Sequence, residues 1–327
     1  MHISVLKHEK IFPEGQFFPE CHASTLVKLN DGSIVCAWFA GTCEKHDDVA
    51  IWCSVMKNDT WTDPAIACDT PGIPCWNPVL FSPDNINIIL YFKSGKEIPQ
   101  WKTLMSTSDD GGKTWSAYTE AFEGDIGGRG PVKNKPIRLS DGTVIAPASI
   151  EKPGEWDAFV DISRDGGYTW GELCKVPLDH EKLSGKGVIQ PTLWESKPGC
   201  VHMFLRSGEG FVYRSDSTDY GVTWCEAYKT DIPNNNSGID LIKTENGQLL
   251  LLCNPVGKNW GRRSPLSLLS SNDNGYTWSE QMTVDSDDDP KDCEFSYPAI
   301  ISDKNIVHAC YTWKRRSVAF ISLEIDN

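Results

Sequence analysis

The chain has 327 residues, 39% of them hydrophobic, and its 45 acidic against 31 basic side chains give a formal net charge of −14. That balance disfavours nucleic acid and anionic membranes as partners, and no segment approaches the run of about 18 apolar residues that a membrane span needs. Length alone permits several domains or one large all-β domain; without a linker or low-complexity tract, a single domain over residues 1–327 is expected.

Residues Met1 to His8 lack the basic-then-apolar pattern of a secretory signal, which predicts a cytoplasmic protein. The twelve cysteines include no Cys-x-x-Cys pair and no metal-site spacing. Cys36, Cys53, Cys253 and Cys310 stand in apolar, strand-like runs and read as buried reduced thiols. The sequence points to no metal, no organic cofactor and no protein partner.

Two repeats run along the chain out of phase. The first hairpin, Leu26 to Val35, turns at Asp31-Gly32; later ones turn at Asp84-Asn85, Asp141-Gly142, Pro198-Gly199, Asn246-Gly247 and Asp303-Lys304-Asn305. Between them lies the box Ser-x-Asp-x-Gly-x-Thr-Trp, at Ser108–Trp115, Ser163–Trp170, Ser217–Trp224 and Ser271–Trp278, with a worn copy from Ser54 to Trp61. The closing tryptophans stand at 61, 115, 170, 224 and 278, in steps of 54, 55, 54 and 54 residues. In such a box Asp bonds nearby backbone while Gly takes a positive φ, so the boxes read as structural rather than metal-binding.

Six hairpins at blade spacing predict an all-β, six-bladed propeller of four-stranded antiparallel blades, each burying its faces against its neighbours. The last hairpin, Ala299 to Trp313, is followed by one strand, Val318 to Ile325, and has no box. That blade is one strand short. The N-terminal run Ile3 to Phe12 is expected to supply the missing strand and close the ring.

These boxes at this spacing resemble the sialidase (neuraminidase) superfamily over nearly the whole chain, in particular a divergent branch of predicted neuraminidases. The resemblance implies three arginines on a substrate carboxylate, a tyrosine nucleophile helped by a glutamate, and an aspartate acid/base. Glu294-Phe295-Ser296-Tyr297 opens the last hairpin as the family's tyrosine segment does, which points to Tyr297 as nucleophile and groups Glu294 with the substrate-binding set. Arg206, in Met203-Phe204-Leu205-Arg206-Ser207, and Arg263, ahead of Pro265-Leu266-Ser267-Leu268, resemble two of the arginines, with Arg262 an adjacent alternative to the second. Asp48, with Asp47 as its alternative, stands where the family keeps its acid/base. Two positions depart from the pattern. His22, in Cys21-His22-Ala23-Ser24-Thr25, replaces the first arginine, and Gln190, in Gln190-Pro191-Thr192-Leu193, stands where the glutamate is expected.

Two arginines hold a carboxylate by paired, charge-assisted bonds. Cations beside Tyr297 would favour the phenolate that attacks an anomeric carbon, and Asp48 would protonate the leaving oxygen if burial raised its pKa. His22 suggests a second chemistry: His22 and Tyr297 flanking an arginine-neutralised carboxylate form a lyase set for a uronate. Polar clusters ahead of the hairpins, represented by Asn77, Lys135, Gln190 and Asn236, read as pocket lining or as loop caps. Trp76, Trp101 and Trp156 read as sugar-stacking or packing residues. The expected partner is an acidic glycan or oligosaccharide. The expected function is an exo-acting glycosidase of the sialidase type, with a uronate-directed lyase or a non-catalytic sugar-binding propeller as alternatives.

Overall fold

A computed structural model describes residues 2–289 and 292–326. Six antiparallel sheets form a propeller, built in chain order. The first blade uses Glu20–Lys28, Ile34–Gly41 and Ala50–Lys57, and its outer position is shared by two short strands, Thr60–Trp61 and Ala65–Cys68. The next four begin at Cys75–Phe81, Ile137–Arg138, Val188–Lys197 and Asp240–Lys243, each with four strands.

The sixth blade closes the ring as the strand count requires. It runs Phe295–Asp303, Ile306–Trp313 and Ser317–Asp326, and His2–Lys10 adds as its outermost strand, antiparallel to Ser317–Asp326. Without it, the long strand Ser317–Asp326 would expose a row of unpaired backbone groups.

The boxes explain the blade spacing. Asp110 accepts from Ser108 Oγ at 2.9 Å, from Thr114 N at 3.0 Å and from Thr114 Oγ1 at 2.7 Å, and the other three boxes repeat this pattern. The box glycine then faces the preceding blade. A Cβ on Gly112 would lie 3.0 Å from Val35 Cγ1, one on Gly167 2.9 Å from the Tyr91 hydroxyl, and one on Gly275 3.3 Å from Phe204. These carboxylates lie at the periphery and are committed to their own turns. The cysteines are free thiols, and the four in apolar runs are buried.

A second six-fold feature positions the site. The innermost segment of each blade carries one residue in the left-handed region: Ala23 (φ 56°), Asn77 (41°), Lys133 (67°), Gln190 (53°), Asn236 (61°) and Tyr297 (52°). In the first, second, fourth and sixth blades the strand register shifts at this point, as a β-bulge does. Each bulge re-aims a side chain near the axis, so six residues distant in sequence form a ring. Lys133 is fully buried, with Nζ donating to Asn134 Oδ1 at 2.8 Å and to the Pro298 carbonyl. Burial holds its amine down at about 8, against the pull of Asp240.

Candidate functional site

At one mouth of the axis lies a cleft of ≈ 330 Å³. Its floor is set by the ring. Tyr297, Gln190 and Asn77 line it directly, and His22 lines it from the position before Ala23. The His22 and Tyr297 rings meet with centroids 4.2 Å apart.

Arg206 stands near the end of Cys200–Ser207 and is 4% exposed. It donates from Nη1 to the Tyr297 hydroxyl at 2.6 Å and to Gln190 Oε1 at 3.1 Å, and from Nε to Asn236 Oδ1 at 2.7 Å. All three acceptors are neutral groups, and Arg206 forms no ion pair among the described residues. A buried cation without a counter-charge is costly to a fold.

The other two guanidinium groups are compensated. Arg263 Nη1 donates to Glu294 Oε1 at 2.6 Å, and Arg315 donates from Nε to Glu294 Oε2 at 3.0 Å and from Nη1 to Glu44 Oε2 at 2.6 Å. The result is an alternating chain Glu44–Arg315–Glu294–Arg263. Burial pushes the Glu294 carboxyl up, but Arg263 and Arg315, with a bond from Ser296, outweigh it and hold the group well below the usual carboxylate range. His22 is held neutral: burial, and then Arg315, push it well below its ordinary value against the pull of Glu294. Its Nδ1 lies 2.9 Å from Thr312 Oγ1, which also accepts the Ala23 N–H at 3.1 Å.

Among the sequence candidates, the structure brings His22, Asn77, Gln190, Arg206, Arg263 and Tyr297 to one cleft. Asn236 and Glu294 stand immediately behind it, on Arg206 and on Arg263. Of the adjacent arginines, Arg263 faces the cleft, while half-exposed Arg262 turns to the Asp287 carbonyl. Trp76, Trp101 and Trp156 line it too, and all three are buried among neighbours.

Two candidates lie elsewhere. Lys135 pairs with buried Asp240 at 2.7 Å and is not part of the cleft. The ring residue of its blade is Lys133, two positions earlier, so the periodicity pointed to the right segment in the wrong register. Asp48 accepts from Thr42 N at 3.0 Å, from Thr42 Oγ1 at 2.7 Å and lies 2.8 Å from His46 Nδ1. What burial it has pushes its carboxyl up, but the Thr42 and His46 bonds outweigh that and hold it below its ordinary value, the opposite of a proton donor's need. Its loop alternative Asp47 pairs with Lys96. From the same loop, Glu44 reaches the cleft.

Sequence reading missed Arg315, Glu44, Glu151, Lys186 and Trp260, all of which line the cleft. Arg315 sits in Lys314-Arg315-Arg316, the three-residue turn joining the last two strands, whose first two residues have φ of 51° and 56°. Hairpin positions with positive φ favour Asn and Gly, so a basic pair there was the available signal.

The BNR repeat-like domain family matches residues 32–309. A sialidase of Paraclostridium sordellii is 30% identical over 143 residues, 38% of this chain and 32% of that protein, so the chain spans well under two thirds of that relative's length. Among solved structures, a protein of unknown function from Dyadobacter fermentans DSM 18053 superimposes with a TM-score of 0.76 at 18% identity, covering 99% of each chain. The Hadza microbial sialidase Hz136 gives 0.80 at 18% identity over 97% of this chain and 68% of that one. The NanB sialidase of Streptococcus pneumoniae gives 0.74 at 13% over 97% and 70%. At such identities the structural likeness establishes the propeller and nothing about chemistry.

Proposed function

The chain belongs to the BNR repeat-like domain family, as a propeller of the sialidase superfamily, and from that premise we propose that it is a glycoside hydrolase acting on a carboxylate-bearing sugar. One observation carries the reading: Arg206 is buried at the cleft floor with only neutral acceptors. An anionic ligand would supply the missing counter-charge, and a guanidinium fork suits a carboxylate. Arg263 and Arg315, tethered through Glu294, stand ready at the same wall. Tyr297 is the nucleophile in this reading. Its oxygen bonds the anomeric carbon as the glycosidic bond breaks, its hydroxyl proton passing to neutral His22 packed against it, and water later releases the sugar.

The test uses 4-nitrophenyl glycosides of N-acetylneuraminic acid and of glucuronic acid. Tyr297→Phe is expected to lower kcat roughly 10²-fold or more while KM changes little. Arg206→Met is expected to weaken binding of the free acidic sugar about 30-fold or more, since truncating a buried, hydrogen-bonded charge costs about 2–5 kcal/mol. Wild-type protein that neither binds nor turns over any carboxylate-bearing sugar would refute the reading.

A second reading has its own support. Gln190 provides no base for Tyr297, whereas neutral His22 packs directly against it. In a uronate lyase, His22 or Tyr297 would take the proton at C5, the electron pair would form the C4–C5 double bond, and the leaving oxygen would receive a proton from the other group. New ultraviolet absorbance from an unsaturated uronate, without nitrophenol release, would favour this elimination over hydrolysis.

A further inference from the structure

Acid catalysis needs a protonated group at the cleft, and Asp48 is spent on its own loop. The cleft is lined by two carboxylates among the described residues, Glu44 and Glu151. Glu44 is ion-paired with Arg315 at 2.6 Å. Glu151 differs. It is the last residue of Val144–Glu151, half-buried, and its side chain makes no hydrogen bond or ion pair among the described residues. Its cross-strand partner is Trp156, whose ring lies 5.8 Å from the Arg206 guanidinium carbon. Lys186 completes that wall, with Nζ 5.4 Å from the same ring.

We propose that Glu151 is the proton donor of the cleft, delivering its carboxyl proton to the glycosidic oxygen as that bond breaks. This rests on the hydrolase reading above and assigns its missing acid. The step balances simply. The leaving oxygen takes the Glu151 proton together with the electron pair of the broken bond, while the Tyr297 oxygen shares a pair with the anomeric carbon and passes its hydroxyl proton to neutral His22, packed against it. In the second step water bonds the anomeric carbon and gives a proton to the Glu151 carboxylate, while the bond to the Tyr297 oxygen breaks and that oxygen takes its proton back from His22.

The surroundings suit the role. Burial pushes the Glu151 carboxyl up, against the pull of Arg206, Lys186 and Lys93. Lys93 lies behind the wall, fully buried, with Nζ bonded to Thr103 Oγ1 and to the carbonyls of Gly128, Arg129 and Gly130; burial brings it down to about 7. The other titratable or charged groups of the cleft are Glu44, His22, Tyr297, Arg263 and Arg315.

The experiment compares methyl and 4-nitrophenyl glycosides of the same acidic sugar. An acid matters for the poor methanol leaving group and much less for nitrophenolate. Glu151→Gln is expected to lower kcat/KM on the methyl glycoside about 10²-fold or more, to lower it less than tenfold on the nitrophenyl glycoside, and to abolish the alkaline limb of the methyl-glycoside pH profile. Equal losses on both substrates, or the differential loss appearing in Glu44→Gln instead, would overturn the assignment while leaving the hydrolase reading intact. A direct titration needs no turnover. In protein carrying ¹³C at the glutamate carboxyls, with Glu151→Gln to identify the signal, Glu151 should titrate above the ordinary glutamate value of 4.5. Titration at or below that value would likewise overturn it, whatever the substrate proves to be.

Discussion

Arg206 and Glu294 show how single side chains divide the electrostatics of the cleft. Arg206 is bonded to no carboxylate, whereas Glu294 neutralises one wall by accepting from Arg263 and Arg315. The second arrangement has a measurable pH signature. A carboxyl depressed in the fold contributes stability above its unfolded value of 4.5, and that contribution is lost as pH falls below it toward the folded value. His22, depressed below 6.5, acts in the same direction but in an earlier window, losing its contribution as pH falls below 6.5. Thermal melts between pH 3 and pH 7 are therefore expected to show two declines. Glu294→Gln should lower the midpoint at pH 7, by leaving Arg263 unpaired and Arg315 with Glu44 alone, and should flatten the decline below about 4.5. A variant with unchanged acid sensitivity would show that Glu294 is not held ionised by its arginines. At this scale the sequence was only partly legible. Tyr297, Arg206 and Arg263 could be named from their segments. Arg315 could not, because a basic pair in a tight turn reads as solvated surface until the turn is known to cap the axis.

At the scale of elements, the repeated box and the repeated bulge do separate jobs. The box sets the distance between blades through its glycine and locks its own turn through its aspartate. Asp110→Asn removes the charge from four hydrogen bonds at an exposed turn. It should cost about 1 kcal/mol in urea unfolding and leave kcat/KM unchanged, because no residue of the box lines the cleft. Loss of activity without loss of stability would contradict this division. The box was readable because its residues are contiguous. The bulge was half-readable: the polar segments ahead of the hairpins stood out, but which residue adopts positive φ depends on cross-strand pairing. Hence Lys135 was singled out where Lys133 holds the axial place.

For the whole molecule, the first strand closes the ring. His2–Lys10 joins chain start to chain end through eight residue pairs with Ser317–Asp326. Deleting residues 2–10 is expected to lower the melting temperature and to promote aggregation through the bared edge, read by light scattering alongside the melt. A deletion with native stability would mean that the ring does not depend on this strand. The net charge of −14 acts at this scale too. It surrounds a cleft whose floor is cationic, so the attraction for the acidic sugar proposed above would come from the three arginines rather than from the surface.

The amino-acid sequence by itself determined the blade count, the all-β class, the closure by the first strand and the family. These follow from short-range patterns: turns, alternation and a contiguous box, each repeated often enough to be unambiguous. Only the tertiary structure decided which side chains meet. The cleft gathers residues 22, 44, 151, 206, 263, 297 and 315 from five blades, and a one-residue change in any bulge would rotate its contribution away. The physical reason is that folding energy rewards burial and backbone pairing locally, whereas the direction of a side chain at the axis is set jointly by six strand registers.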